Sequence, residues 1–213
     1  MALAAELGPY DSLGVGVPGL VTRAGVLRAA PHLIDVAELD VAGRLATSLG
    51  CTVHVDNDAT CAALAEWQLG AGRDVSELVV VTLGTGIGGG IVTEGRLVRG
   101  TNGFAGEFGH MVVERDGLAC PCGRRGCWER YASGGALGDQ GRAAVAGRPA
   151  ERLAQLAGGE PDAVRGEHVR VAAADGDATA LAVIDGFSRW VAVGLVNLAN
   201  LLDPARFVLG GGL

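Results

Sequence analysis

Residues 78–83, Leu-Val-Val-Val-Thr-Leu, form a nearly all-apolar run that leads directly into Gly84-Thr85-Gly86-Ile87-Gly88-Gly89-Gly90. Such a run is typical of a strand buried on both faces, so it predicts a mixed α/β chain with a layer on either side of its sheet. The glycines that follow are the second half of the constraint. Ten lie between Gly84 and Gly109, out of 36 in 213 residues. That is about 17% of the chain against an ordinary share of about 7%. Hydrophobic residues make up 49% of the sequence, which excludes a disordered or collagen-like glycine tract. Glycine costs conformational entropy wherever it is placed, so these positions need a bare backbone.

Around this feature the pattern alternates strands and helices. Leu13–Val17 reads as a strand closed by Pro18-Gly19, and a helix over roughly Asp40–Leu49 stops at Gly50. Thr52–Val55 is a β-branched strand running into Asp56-Asn57-Asp58, good capping residues for an alanine-rich helix ending near Gly70. Glu94-Gly95 predicts a hairpin turn between Ile91–Thr93 and Arg96–Val98. Beyond Trp128 the pattern is helical, broken near Gly147 and Gly158-Gly159. A long apolar helix or helix pair is expected over Thr179–Leu202, ended by Asp203-Pro204, and a last strand Phe207–Leu209 meets Gly210-Gly211-Gly212.

Gly84-Thr85-Gly86-Ile87-Gly88-Gly89 matches G-x-G-x-x-G, yet the dinucleotide fingerprint requires a helix at its third glycine. The chain continues instead into Ile91-Val92-Thr93-Glu94-Gly95, a strand and a turn, so a Rossmann site is excluded by context. A turn of this kind can bring bare amides and the Thr85 hydroxyl close to phosphate oxygens; the alternative is a merely tight hairpin.

His110, Cys120, Cys122 and Cys127 are spaced His-x9-Cys-x-Cys-x4-Cys. Four nitrogen and sulfur ligands suit tetrahedral Zn²⁺ in a closed, structural site. The alternative is three buried thiols and a core histidine, and surplus thiols so close together would be a liability. Glu107 and Glu129 flank the cluster and are suited to accepting hydrogen bonds from sugar hydroxyls, or are solvated loop charges. Asp58 or Asn57 is either a helix cap or a catalytic side chain at a strand end.

A formal charge of −7 argues against a surface built for nucleic acid or for acidic membranes; Arg124 and Arg125 sit side by side, as a local basic patch or a solvated turn. With no run of 18 uninterrupted apolar residues and no basic, apolar start, neither a membrane span nor a signal peptide is expected. The expected location is cytoplasmic, where clustered cysteines bind metal rather than form disulfides.

Six segments together resemble the ROK family of bacterial sugar kinases and sugar-responsive repressors, most of all its glucokinases. They are Gly14–Gly19, Asp56–Ala59, Leu83–Gly90, Gly106–His110, Cys120–Glu129 and Leu209–Gly212. The resemblance implies an α/β, actin-like (ribonuclease H-like) two-lobed fold whose small lobe is incomplete here. Residues 1–58 would be a partial N-terminal small lobe. Residues 59–213 would be a C-terminal lobe with the zinc loop at about 107–130 and the final helices absent.

It also implies ATP-dependent phosphorylation of a hexose hydroxyl, with Mg²⁺ and structural Zn²⁺ as cofactors and a homodimer as the assembly. Asp58 would be the general base. Asn57, Asp58, Glu107, His110 and Glu129 would bind the sugar, and His110, Cys120, Cys122 and Cys127 the zinc. Gly84, Thr85 and Gly86 would hold phosphates, and Gly210, Gly211 and Gly212 would face the adenosine. The family's Asp-x-Gly-Gly-Thr hairpin would precede residue 1, so the chain is expected to be a member short at both ends. His32 stands where the family often has asparagine. The alternatives are the sugar-sensing domain of a repressor, whose winged helix is not legible in this sequence, and a zinc-braced sugar-binding pseudokinase.

Overall fold

The structure, a computed structural model, describes residues 10–30, 36–148 and 151–213; His32 lies outside the described residues. The chain divides into two compact units, residues 1–79 with 89–106, and residues 80–88 with 107–213.

In the first unit, β1 (Ser12–Val17) pairs in parallel with β5 (Thr52–Asn57), in a register that sets Gly16 beside Asp56 and Val17 beside Asn57. The ladder therefore carries β5 two residues past the expected Val55, and the following helix α2 (Asp58–Gln68) starts without a loop. Helix α1 (Val41–Leu49) begins at an Asp40 cap and ends where Gly50 turns left-handed at φ 67°, as the glycine stop predicts. A second sheet was not legible in the sequence. It is antiparallel, in the order β2 (Leu20–Val21), β3 (Val26–Ala29), β4 (Ala37–Asp40). Its strands are too short for an alternating pattern to declare itself. Val21, Leu27 and Ala30 are buried there, with Val17, Val41 and Val55 packed against them.

A four-stranded sheet, ordered β8-β7-β6-β9, is built from β6 (Leu78–Leu83), β7 (Ile87–Thr93), β8 (Arg96–Leu97) and β9 (Arg206–Gly211), and the division between the units falls within β6 and β7. Leu78, Val79, Val80 and Val81 are all essentially inaccessible, which is the two-sided burial their composition predicts. At the hairpin tip Glu94 and Gly95 both take positive φ, 49° and 64°, a pairing that matches strand twist. Glu77 pins this turn by accepting from the Thr93 hydroxyl at 2.7 Å and the Glu94 amide at 2.6 Å, which hold its carboxyl below the usual range.

The second unit holds a single-turn helix α3 (Glu129–Ala132), then α4 (Gly134–Val145), α5 (Arg152–Leu156), α6 (Gly166–Ala174) and α7 (Ala178–Leu202). Gly147, Gly158 and Gly159 turn left-handed between them, where helix breaks are expected. The core gathers Leu137, Val145, Leu153, Val164, Val169 and Phe187. Helix α7 is one continuous helix of 25 residues, long and apolar enough by length and composition to cross a membrane. Its Ala180, Phe187, Gly194 and Leu198 are buried against the rest of the unit, while Leu181, Val193, Val196 and Leu201 are exposed.

Candidate active site and metal-ligand cluster

At the end of β5 the three polar residues take separate roles. Asn57 is the cap of α2, its Oδ1 accepting from the Thr60 amide at 3.0 Å while Nδ2 donates to the Gly19 carbonyl at 3.1 Å. Asp56 accepts from the Arg99 guanidinium at 2.9 Å and from the Asn57 amide at 2.9 Å. Asp58 lies exposed at the first helical position, accepting only from the adjacent Ala59 amide, at 2.9 Å, among the described residues. The choice left open by the sequence is thus resolved locally: capping falls to Asn57, and the Asp58 carboxylate is not needed for it.

Cys61, one turn into α2, has its thiol pushed up by burial and by the neighbouring Asp56 and Asp58 carboxylates, partly offset by Arg99. It shares a cavity of about 570 Å³ with Gly14, Gly16, Arg23, His54 and Asp56.

In the second unit a short 3-10 turn, Phe108–His110, presents His110 beside a folded-back loop. The loop is fastened by bridges between Val112 and Cys127 and between Ala119 and Arg125. It can fold so tightly because Gly126 takes φ 73° against the Glu114 carbonyl, where a Cβ would collide with that oxygen. The candidate ligand atoms of His110, Cys120, Cys122 and Cys127 all lie within 4.8 Å of one another. Cys122 Sγ is 3.6 Å from Cys127 Sγ, and Cys120 Sγ is 3.8 Å from His110 Nδ1. A tetrahedron with Zn–S bonds of about 2.3 Å has edges of about 3.8 Å, which these two spacings match; the widest spacings of the set, up to 4.8 Å, would have to close around a bound ion.

The other ring nitrogen, Nε2, lies 3.9 Å from Glu107 Oε2, the side on which metal-bound histidines usually find an orienting carboxylate. Glu129 Oε1 is 3.2 Å from Cys120 Sγ and 3.5 Å from His110 Nδ1. Burial and the hydrogen bond to Glu129 raise the Cys120 thiol strongly. At Cys122 the effect of burial is outweighed by donors that include the Arg124 amide, and its pKa is lowered. Four of the sequence-predicted residues thus form the ligand cluster, and both flanking glutamates stand beside it.

The loop is tied to the helical core by Trp128, which is wholly inaccessible and donates its indole N–H to the Trp190 carbonyl at 2.7 Å. Gly194 of α7 supplies the room, since a Cβ there would fall onto the indole ring. Tyr131 stacks on Trp190 with centroids 4.4 Å apart and accepts from the Leu118 amide at 2.7 Å.

The glycine turn between β6 and β7 closes with the Gly84 amide donating to the Gly86 carbonyl at 3.0 Å. Gly84 accepts from the Gly134 amide at 2.7 Å, and the Gly212 amide donates to Leu83 at 3.1 Å. Gly84, Thr85 and Gly212 consequently line one cavity of about 700 Å³ with Gly134-Gly135, Arg165 and Phe187. Gly84 and Gly212 both have ordinary φ and open space where a Cβ would stand, so neither the turn nor packing requires glycine there. A close-approaching ligand would. Gly211, by contrast, has φ 118° and lies against the Leu83 backbone, which is a structural reason for glycine. Gly210 also has open space.

The sequence did not single out Ser133-Gly134-Gly135, although a capping serine before two glycines is the signal of an open helix N-terminus. Ser133 caps α4 by accepting from the Ala136 amide at 3.1 Å. Arg165 and Phe187 carried no such signal.

An α/β fold of the actin-like ATPase class thus carries a Cys3His cluster beside paired carboxylates and, separately, a glycine-lined cavity of nucleotide size. The chain belongs to the ROK family, whose model matches residues 3–213. It is 40% identical over 205 residues to the glucokinase of Streptomyces coelicolor, an alignment covering 95% of this chain and 64% of that protein. The xylose repressor of Bacillus subtilis is 30% identical, with 94% and 48% covered. Among solved structures, the ROK glucokinase of Streptomyces griseus in complex with glucose and AMPPNP superposes with a TM-score of 0.90 at 39% identity, covering 99% of this chain and 68% of that one. The chain thus spans a little under two thirds of the length of the S. coelicolor relative.

Proposed function

We propose that the protein carrying this chain is an ATP-dependent hexose kinase of the glucokinase type, in which Asp58 takes the proton of the attacking sugar hydroxyl. The observation that carries this reading is the cavity of about 700 Å³ at Gly84 and Gly212, whose missing side chains the fold does not demand. Its size suits a nucleotide, its turn supplies Thr85 and Gly86 to the phosphates, and the α4 N-terminus adds a favourable dipole for anions. Gly210, Gly211 and Gly212 follow on the adenosine side.

Phosphoryl transfer asks a protein for positioning and charge neutralisation more than for covalent chemistry. Mg²⁺, if bound with ATP, would supply neutralising charge to the phosphates that Gly84, Thr85 and Gly86 hold. Asp58, spared from capping by Asn57, has a carboxylate oxygen to give to the hydroxyl. Asn57, Glu107, His110 and Glu129 accept or donate the sugar's remaining hydrogen bonds, and a sugar lacking one of those hydroxyls leaves a partner unpaired. His110, Cys120, Cys122 and Cys127 would hold zinc in a structural role, which would brace the loop. A cytoplasmic homodimer belongs to the same proposal.

A coupled assay of hexose phosphorylation with ATP tests the reading on the protein carrying this chain. Turnover with glucose, mannose or an N-acetylated hexose is expected, and Asp58→Asn should lower kcat by at least about 100-fold while sugar affinity changes little. Sugar binding without turnover in the unsubstituted protein would instead support a pseudokinase. The sugar-sensing domain of a repressor is the second reading, favoured by the likeness to the xylose repressor. Sugar-dependent release of DNA in place of phosphorylation would establish it.

A further inference from the structure

Gly86 lies in the turn assigned to phosphate, yet its reason for being glycine lies elsewhere. Its φ is ordinary, so an L-side chain would not be strained there. A Cβ at this position meets one atom within 4 Å, Glu129 Oε2 at 2.9 Å. The same carboxylate reaches in the opposite direction with its other oxygen, 3.2 Å from Cys120 Sγ and 3.5 Å from His110 Nδ1. The backbone of Glu129 is anchored and its side chain is largely enclosed. The residue directly follows Trp128, whose indole is locked to α7, and its side chain is only 18% exposed.

Resting on the kinase reading, we infer that Glu129 is a positioning residue through which the phosphate turn and the sugar-binding loop sense each other, with bare Gly86 as the point of contact. A nucleotide seated on Gly84 and Thr85 fixes the wall against which Oε2 rests. The glutamate then loses less freedom when a sugar hydroxyl engages it, so the sugar binds more tightly than it does in the absence of nucleotide. The coupling is reciprocal: sugar tightens nucleotide by the same factor. Gly84, with open space at its own Cβ position, takes no part in this contact.

Calorimetric titration of glucose, with and without AMPPNP, tests the inference. In the unsubstituted protein AMPPNP should tighten glucose binding by about 5-fold or more. Gly86→Ala should weaken glucose in the absence of nucleotide and bring the coupling factor close to one, with zinc content unchanged. Gly84→Ala should weaken AMPPNP while leaving glucose affinity in its absence as it was. Glu129→Asp draws the carboxylate back from position 86. It should itself abolish the coupling, and in combination with Gly86→Ala add no further loss. Where Gly86→Ala yields no folded protein, Glu129→Asp carries the same test. Coupling retained in either variant overturns the inference and leaves the kinase reading standing; an unsubstituted protein that binds neither ligand overturns both.

Discussion

Helix α7 contains two interior glycines that should respond in opposite directions to one substitution. At Gly194 an added methyl falls onto Cε2, Cζ2 and Cδ2 of the Trp128 indole, a side chain with no accessible surface. Accommodating it means moving the ring or the helix, an overpacking cost of about 1–3 kcal/mol. Moving the ring also breaks its 2.7 Å bond to the Trp190 carbonyl and leaves a buried donor unmet, a further cost of about 1–3 kcal/mol. The better helix propensity of alanine returns about 1 kcal/mol. The net expectation for Gly194→Ala is a loss of about 1–5 kcal/mol, or a fall in Tm of roughly 2–20 °C for a chain of this size.

Gly186, eight residues earlier, has ordinary φ and nothing within 4 Å of its Cβ position. There the propensity gain stands alone, and Gly186→Ala should raise Tm by about 2–4 °C. Thermal unfolding followed by circular dichroism, at fixed zinc and protein concentration, measures both. A Gly194→Ala protein as stable as the unsubstituted one would refute the packing of Trp128 against the helix backbone. A destabilised Gly186→Ala would refute the argument that open space decides the sign.

Two further outcomes follow from the ligand cluster and from Cys61. Metal analysis should find about one zinc per chain. Chelation or Cys127→Ser should lower Tm and increase proteolysis within residues 111–126; a metal-free protein of undiminished stability would remove the brace. The Cys61 thiol, raised by burial and by two carboxylates, should alkylate more slowly at pH 8 than a free cysteine, and Asp58→Asn should speed the reaction. Because the folded pKa lies above the unfolded one, the unfolded chain loses its proton first. The contribution of Cys61 to stability is therefore intact below the ordinary thiol pKa and declines as pH rises past about 8.5. Unchanged alkylation in Asp58→Asn would remove Asp58 from the thiol's surroundings.

Elements that announce themselves through composition or a single decisive residue were legible in the sequence. The two-sided burial of Leu78–Val81, the Gly50 stop of α1 and the Glu94-Gly95 turn all depend on neighbours within a few positions. The Cys3His cluster was legible because tetrahedral ligation leaves a spacing signature along the chain, and its atoms do converge.

What stayed hidden depends on distance along the chain. The register of β1 on β5 joins residues forty positions apart, and only that ladder sets Gly16 beside Asp56 and Val17 beside Asn57. The short strands β2, β3 and β4 hold too few residues for a period of two to emerge. Gly134-Gly135, Arg165 and Phe187 share a cavity wall only because α4, α6 and α7 pack together, which no local pattern encodes.

The long helix α7 has a mechanical consequence. Within a short stretch it carries Phe187 and Ser188 in the cavity wall, then Trp190 and Gly194 beneath the Trp128 indole. At 1.5 Å of rise per residue, Phe187 and Gly194 stand only about 10 Å apart on one stiff rod. A displacement of the Cys3His loop would thus reach the cavity wall through a lever less than three turns long. Natural variants in this stretch should accordingly be rare singly and tolerated in pairs, because a change that suits one end of the lever must be answered at the other.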